Sequence, residues 1–380
     1  MKFSENNIFP IKPYGTHSLR DLSGMNSART YFPREKSSES ESQAVKSSKP
    51  GFVKTNLSGI RLTGTLLFLL FTVCILTHSE LSLSYAALGL KLWFEKMIPS
   101  LLPFMILSGI VIRLGLTETI ASFVYPLIRP LYRVRKNVCY CMMLGFLCGF
   151  PMGARVVADL YSREQLTREE GEYLLAFCNN IGPVYYCSFV LPLLRRELIA
   201  PYLFGMYGIP ALYGIFLRYT RYRDLGKLLS SGTILTSTCY RSQEKQSHRK
   251  LFVRRGERLL SETDQSINAS IRSILTLGGY MILFNLLNLI PHVLWGRQIP
   301  LPAPLFEITG GLSLLQAQAP LYSLLALSFG GFSCMAQTYS CIRETDLSIV
   351  DYILHKIILT LLNALFYFSW FLLSPMSFLR

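Results

Sequence analysis

The stretch from residue 145 to residue 159 is a polar interruption in an apolar region, and it carries residue types that can bind a solute. Gly145, Gly149 and Gly153 recur every four residues, so one face of a helix has no side chains and can pack closely against a neighbour. Pro151 lies within this series and breaks the helix. A break inside a membrane frees backbone N–H groups beside the positive end of a helix dipole, which favours anions. We expect close helix packing here, together with an anion site.

Arg155 and Asp159 follow this break at a spacing of four residues, which puts both side chains on one face of a helix. One interpretation is an ion pair within that helix, near the membrane surface. The other is that Arg155 faces a solute cavity, as charged residues inside membranes usually do. A guanidinium suits a carboxylate better than an ammonium does, because it can donate two parallel hydrogen bonds.

Two adjacent amides, Asn179 and Asn180, lie in a second polar interruption, and Gly182 and Pro183 interrupt the helix just after them. Amides in lipid are costly unless they form hydrogen bonds. These amides either tie helices together or contact a solute. Because the amide pair coincides with a helix break, the pattern favours solute contact.

The second half of the chain has polar residues in comparable places. Its apolar segments are interrupted by Glu307, the pairs Gly310-Gly311 and Gly330-Gly331, and Gln337. Gln337 stands where Arg155 stands in the first half. The resulting site is asymmetric, as expected if a single anion binds off-centre.

Motifs for enzymatic chemistry are absent from the sequence. It contains no P-loop, G-x-S-x-G, H-E-x-x-H or nucleotide-binding fingerprint. The five histidines are scattered, and the nine cysteines lie mostly in apolar runs without a C-x-x-C pair. We therefore expect no enzyme activity, no catalytic residue, no metal site and no cofactor.

The composition is that of an all-α polytopic membrane protein. Hydrophobic residues make up 51% of the chain and charged residues 16%, which is too little charge for a soluble surface of this size. Residues 117–134 carry apolar residues at helical spacing and predict an amphipathic helix at the membrane surface. The apolar runs predict helices at 62–76, 85–116, 138–160, 172–194, 198–217, 267–289, 321–342 and 349–373.

The distribution of basic residues predicts the topology. The net charge is +15, but Lys and Arg flank apolar runs instead of forming a compact face, which argues against nucleic acid as a partner. A re-entrant hairpin at 138–160 would put every basic cluster, and the N-terminus, on the cytoplasmic side of a cell membrane. The predicted regions are a disordered polar tail at 1–60, a first membrane half at 61–217, a basic cytoplasmic loop at 218–265 and a second membrane half at 266–380.

The two membrane halves also share short sequence matches in the same order. PFMIL (103–107) aligns with GYMIL (279–283), and GFPMGAR (149–155) aligns with GFSCMAQ (331–337). Under the charge-derived topology the two copies run in opposite directions. The sequence therefore predicts an inverted repeat with re-entrant hairpins and broken helices, which is a common design of secondary transporters.

Four segments together resemble a known family: LKLWFEKMIPSLLPFMILSGI (90–110), PLIRPLYRV (126–134), CGFPMGARVVADL (148–160) and LLAFCNNIGP (174–183). The family is that of the YlbJ-type sporulation integral membrane proteins, within the nucleoside-recognition, or Gate, domain group. The resemblance covers residues 60–217 well and 267–373 more loosely. The family's motif positions fall on Gly149, Pro151, Gly153, Arg155, Asn179, Asn180, Gly182 and Pro183.

The resemblance implies a fold similar to concentrative nucleoside transporters. It also implies a role in the mother cell, linked to passage of dipicolinate across the outer forespore membrane and to cortex formation. Dipicolinate is a small planar dianion, so Arg155 and the two amides would suit its carboxylates, and Phe150 would cover its ring. The predicted partners are this anion and the lipid bilayer.

Two other functions stay open at this point. The protein could transport another solute such as a nucleoside, with Arg155 as a structural ion-pair partner. It could instead be a membrane scaffold that recruits other sporulation membrane proteins, or forms a homo-oligomer, without transporting anything.

Overall fold

The computed structural model describes residues 57–194, 198–225, 248–316 and 318–373, and these residues are helical apart from turns and one isolated bridge. The first membrane half contains α1 (Leu57–Thr77), α2 (Ser79–Arg113), α3 (Thr117–Ala121), α4 (Tyr125–Tyr132), α5 (Lys136–Cys148), α6 (Met152–Tyr161), α7 (Arg168–Phe177), α8 (Pro183–Leu193) and α9 (Ile199–Tyr219). The second contains α10 (His248–Leu286), α11 (Leu289–Trp295), α12 (Ala303–Phe306), α13 (Ile308–Leu315), α14 (Pro320–Phe329), α15 (Gly331–Ile342) and α16 (Ile349–Leu373). The predicted all-helical fold is confirmed for these ranges.

Four segments of the described chain are long and apolar enough to cross a membrane: Ser79–Arg113, Ile199–Tyr219, Gly256–Trp295 and Ile349–Leu373. Their outward-facing residues are large and apolar, and many of them are exposed. An exposed apolar surface of this extent suits lipid and would be unfavourable in water.

Helices α2 and α10 pack against each other along much of their length. Gly278 makes room for the Trp93 ring, whose Nε1 donates to the Ile274 carbonyl at 2.9 Å. Farther along, the Ser266 hydroxyl donates to the Ile106 carbonyl at 2.7 Å. These contacts fix α10 against α2.

Two predicted segments differ from the structure. Residues 117–134 form two short helices, α3 and α4, and Pro126 lies in the first turn of α4, where its missing N–H costs no helical hydrogen bond. The predicted loop 218–265 is helical from His248 onward. There, Arg113 contacts the Glu262 carboxylate at 3.7 Å, which joins the polar end of α10 to the end of α2.

The tail predicted to be disordered lies almost entirely outside the described residues, as does the middle of the basic loop at 226–247.

Helices break at four places in the centre of the molecule. The break between α5 and α6 falls at 149–151, where Pro151 predicts it. The segment predicted as a helix over 172–194 ends at Phe177 and resumes at Pro183. The second half breaks at Glu307, between α12 and α13, and at Gly330, between α14 and α15. Helices α6 and α15, which follow two of these breaks, pack against each other.

Candidate functional site

The two breaks of the first half interlock through their backbones. Gly149 has a φ of 76° and forms an isolated antiparallel bridge with Ile181. The N–H of Phe150 donates to the Asn180 carbonyl at 2.7 Å. A methyl group on Gly149 would lie 2.2 Å from the Gly182 nitrogen, so only glycine allows this approach. Backbone groups released by one break are thus satisfied by the other.

The glycine series brings helices together, as the close-packing interpretation predicts. A Cβ on Gly145 would lie 2.5 Å from the Cys178 carbonyl oxygen, and one on Gly153 would lie 3.0 Å from the same atom. Both glycines therefore make room for the break at the end of α7, and their role here is packing.

The amide pair is buried and bonded to protein groups. The Asn179 Nδ2 donates to the Thr338 hydroxyl at 2.9 Å, and its Oδ1 accepts a bond from the Ala154 N–H at 3.4 Å. The Asn180 Nδ2 donates to the Phe177 carbonyl at 2.6 Å, and its Oδ1 accepts one from Lys356 Nζ at 3.1 Å. Such bonds compete with the helical pattern, which explains why α7 ends at Phe177. This geometry favours the helix-tying interpretation.

Arg155 is buried, and its side chain contacts Asp159 and helix α10. Its Nε is 3.7 Å from the Asp159 carboxylate, and its Nη1 donates to the Ala269 carbonyl at 3.4 Å. This geometry agrees with the first of the two interpretations, an ion pair between Arg155 and Asp159 within one helix. Arg155 is not among the cavity's lining residues.

A small, partly open cavity lies where the breaks of both halves meet. Gln337 lines it, is buried, and makes no side-chain hydrogen bond within the part of the chain that the structure describes. Phe150 is half-buried and gives the cavity an aromatic wall. The lining residues are Met97, Ser100, Leu101, Cys148, Phe150, Pro151, Ile181, Gly182, Tyr185, Leu277, Met281, Glu307, Thr309 and Gln337.

Glu307 supplies a carboxylate to this cavity from the start of α13. Its oxygens accept hydrogen bonds from the N–H groups of Thr309 at 3.1 Å and Gly310 at 2.6 Å. The Asn285 Nδ2 donates to the same carboxylate at 3.1 Å. A carboxylate at a helix N-terminus interacts favourably with the dipole, so this side chain fills a position where an anion is stabilised.

The structure therefore divides the predicted site residues into two groups. Phe150, Pro151, Gly182 and Gln337 line the cavity. Gly149, Gly153, Arg155, Asn179, Asn180 and Pro183 do not line it. All residues of this second group except Pro183 hold helices in place. Pro183 begins α8 and is half-buried.

Sequence reasoning missed two residues of this centre. Tyr185 lines the cavity, and its hydroxyl donates to the Thr309 hydroxyl at 3.1 Å. Lys356 is 2% exposed and donates to the break between α7 and α8. The available signal for Lys356 was a lysine within the apolar run 349–373.

Comparison with known proteins supports the assignment suggested by the sequence motifs. The chain is 27% identical over 345 residues to the sporulation integral membrane protein YlbJ of Bacillus subtilis (strain 168), covering 79% of this chain and 80% of that protein. No family model matches the chain, and no solved structure matches it. The protein is an integral membrane protein related to the YlbJ-type sporulation proteins.

Proposed function

We propose that this protein is a transporter or facilitator that moves a small polar solute across a membrane of the sporulating cell, with dipicolinate as the first candidate. The observation that carries this proposal is the cavity at the helix breaks, where Gln337 faces the same space as Glu307 and its amide makes no side-chain hydrogen bond to any described residue. Apolar pockets with a few convergent polar groups are typical of small-molecule sites.

The broken helices support an inverted-repeat architecture for this transporter. Each half contains a helix pair with a positive-φ glycine at its break, Gly149 in one and Gly330 in the other. In secondary transporters such discontinuous helices surround a substrate site near the middle of the membrane. With a cytoplasmic N-terminus, the protein would work in the mother cell, in the outer forespore membrane, and support cortex formation.

Binding of dipicolinate at this cavity requires that the cavity opens further and that Glu307 carries a proton when the dianion binds. Phe150 offers a ring face, and the Gln337 amide offers N–H donors for a carboxylate. An ionised Glu307 would repel the dianion, whereas the protonated carboxyl would donate a hydrogen bond to it. The proposal therefore includes proton uptake together with the solute.

A neutral solute such as a nucleoside is the second candidate. It is favoured by the presence of Glu307 in the cavity and by the position of Arg155 outside the lining. An ionised Glu307 would then accept hydrogen bonds from solute hydroxyls.

Uptake into proteoliposomes separates these candidates. The uptake of labelled dipicolinate and of labelled uridine is measured for the wild type and for Glu307→Gln over about pH 6 to pH 8. Both carboxylates of free dipicolinate stay ionised in this range. We expect dipicolinate uptake that rises as the pH falls, and that loses this dependence in Glu307→Gln. If the wild type takes up uridine and Glu307→Gln does not, the result would favour a nucleoside as the transported solute. No uptake of either solute by the wild type, reconstituted in both orientations, would contradict the transport proposal.

A further inference from the structure

Lys356 is a buried basic residue that no part of the proposed transport step uses. It lies in α16 with 2% of its surface exposed. Its Nζ donates to the Asn180 Oδ1 at 3.1 Å and to the Asn179 carbonyl at 3.5 Å. Within the described ranges, no carboxylate lies at ion-pair distance from Lys356. Buried lysines are usually paired with an acid, so a pocket made of neutral oxygens requires an explanation.

Two oxygens lie next to Nζ, the Asn180 Oδ1 and the Asn179 carbonyl oxygen. Both belong to the gap between α7 and α8, next to the C-terminal end of α7. The Asn180 amide has a fixed orientation, because its Nδ2 donates to the Phe177 carbonyl. Its Oδ1 therefore points toward the Lys356 ammonium. Carbonyl oxygens of an unwound helix, at the negative end of the helix dipole, coordinate monovalent cations in membrane transporters.

The other side of Nζ is closed by the second half of the molecule. The lysine Cε passes beside Gly330, where an added Cβ would lie 3.8 Å from it. The helix that follows this break, α15, holds the Asn179 side chain through Thr338. The ammonium therefore lies where breaks of the two halves meet.

We propose that Lys356 Nζ is the built-in occupant of a monovalent-cation site in the break between α7 and α8. The lysine holds the carbonyl oxygens together, so the protein needs no metal cation in this place. Removing the side chain opens the site to a small cation such as Na⁺, K⁺ or ammonium. As a consequence that rests on the proposed function, solute uptake by the wild type is independent of added metal cations.

The thermal stability of the purified full-length protein tests this inference without any solute. The melting temperature is measured in choline, sodium, potassium and ammonium chloride at equal ionic strength. We expect the wild type to melt at one temperature in all four salts. Lys356→Ala should melt lower in choline, and small cations well above their dissociation constant should raise its melting temperature by about 3 °C or more.

Two control variants separate the cation site from a loss of packing and from a general effect of salt. Lys356→Met fills the space of the lysine stem without a charge, so it should lose stability and show no response to cations. Lys91→Ala removes an exposed lysine, and neither its stability nor its cation response should change. A Lys356→Ala protein that folds only in the presence of small cations is also an expected result.

Three results of the melting experiments would overturn the inference. They are a wild type whose melting temperature rises with Na⁺ or K⁺, a Lys356→Ala variant that responds to cations no more than Lys356→Met, and a Lys356→Ala variant that folds in no salt. Uptake by the wild type that requires Na⁺ would also reject it while leaving the transport proposal intact. A wild type without uptake would reject the transport proposal alone.

Discussion

At the scale of single residues, Gly149 carries the break between α5 and α6. Its positive φ and its contact with the Gly182 backbone leave no space for a side chain. We expect Gly149→Ala to destabilise the fold by about 3 kcal/mol or more, since both backbone strain and a clash result. The measurement is the melting temperature in detergent.

Gly279→Ala is the matched control for this substitution. Nothing lies within 4 Å of a Cβ on Gly279, which sits in the exposed part of α10. Alanine should therefore be tolerated there, with a change of about 1 kcal/mol at most and in the stabilising direction. Equal effects of the two substitutions would contradict this account of the break.

Arg155 and Asp159 form a second residue-scale test. Because their ion pair lies outside the cavity lining and Asp159 is partly exposed, we expect Arg155→Gln to cost at most about 1 kcal/mol of stability and to keep solute uptake. Asp159→Asn should cost more stability than Arg155→Gln, because it leaves the buried Arg155 charge without its acidic partner. If Arg155→Gln alone abolished uptake in a folded protein, Arg155 would be a solute ligand after all.

Only part of the candidate site could be predicted from the sequence. Pro151 marks its own break because proline cannot continue a helix, and Gln337 is visible as an amide in an apolar run. The position of Arg155 relative to the cavity depends on how α6 packs against α10 and α15, and local spacing contains no such information.

At the scale of helices, the hydrogen bond between Asn179 and Thr338 joins the break of α7 to α15. Removing either partner breaks a buried hydrogen bond and leaves the other with the weaker contact to the Tyr352 hydroxyl, so Asn179→Ala and Thr338→Val should each cost about 1–3 kcal/mol. The double variant should cost less than the sum of the two. A double-mutant cycle on melting measures this coupling.

A second cycle provides the control. Tyr322→Phe removes a bond to the Leu301 carbonyl that shares no partner with Asn179. Combined with Asn179→Ala, its effect should be additive within about 0.5 kcal/mol. Additivity in the Asn179 and Thr338 cycle as well would contradict the proposed tie.

The long helices could be predicted from the sequence more reliably than the breaks. Helix α16 begins and ends where its apolar run does, because burial in lipid needs a continuous apolar segment. The end of α7 depends instead on side-chain bonds from Asn180 to the Phe177 carbonyl and to Lys356. Lys356 lies far along the chain, so an apolar pattern could not reveal that contact.

At the scale of the whole molecule, the cavity is built from residues between Met97 and Gln337. We therefore expect a chain without residues 1–55 to retain solute uptake in proteoliposomes. A scaffold that acts through its tail would behave differently, because the shortened chain would fail to support spore assembly while remaining folded. Loss of uptake in a folded, shortened chain would show that the tail belongs to the transport machinery.

The most direct test of the central claim is dipicolinate uptake by proteoliposomes containing Gln337→Leu beside the wild type. The Gln337 amide faces the cavity and makes no side-chain hydrogen bond in the described part of the fold, so its loss should leave the melting temperature unchanged. We predict saturable uptake by the wild type and loss of most of it in the variant. Equal uptake by both proteins would contradict the assignment of this cavity as the solute site.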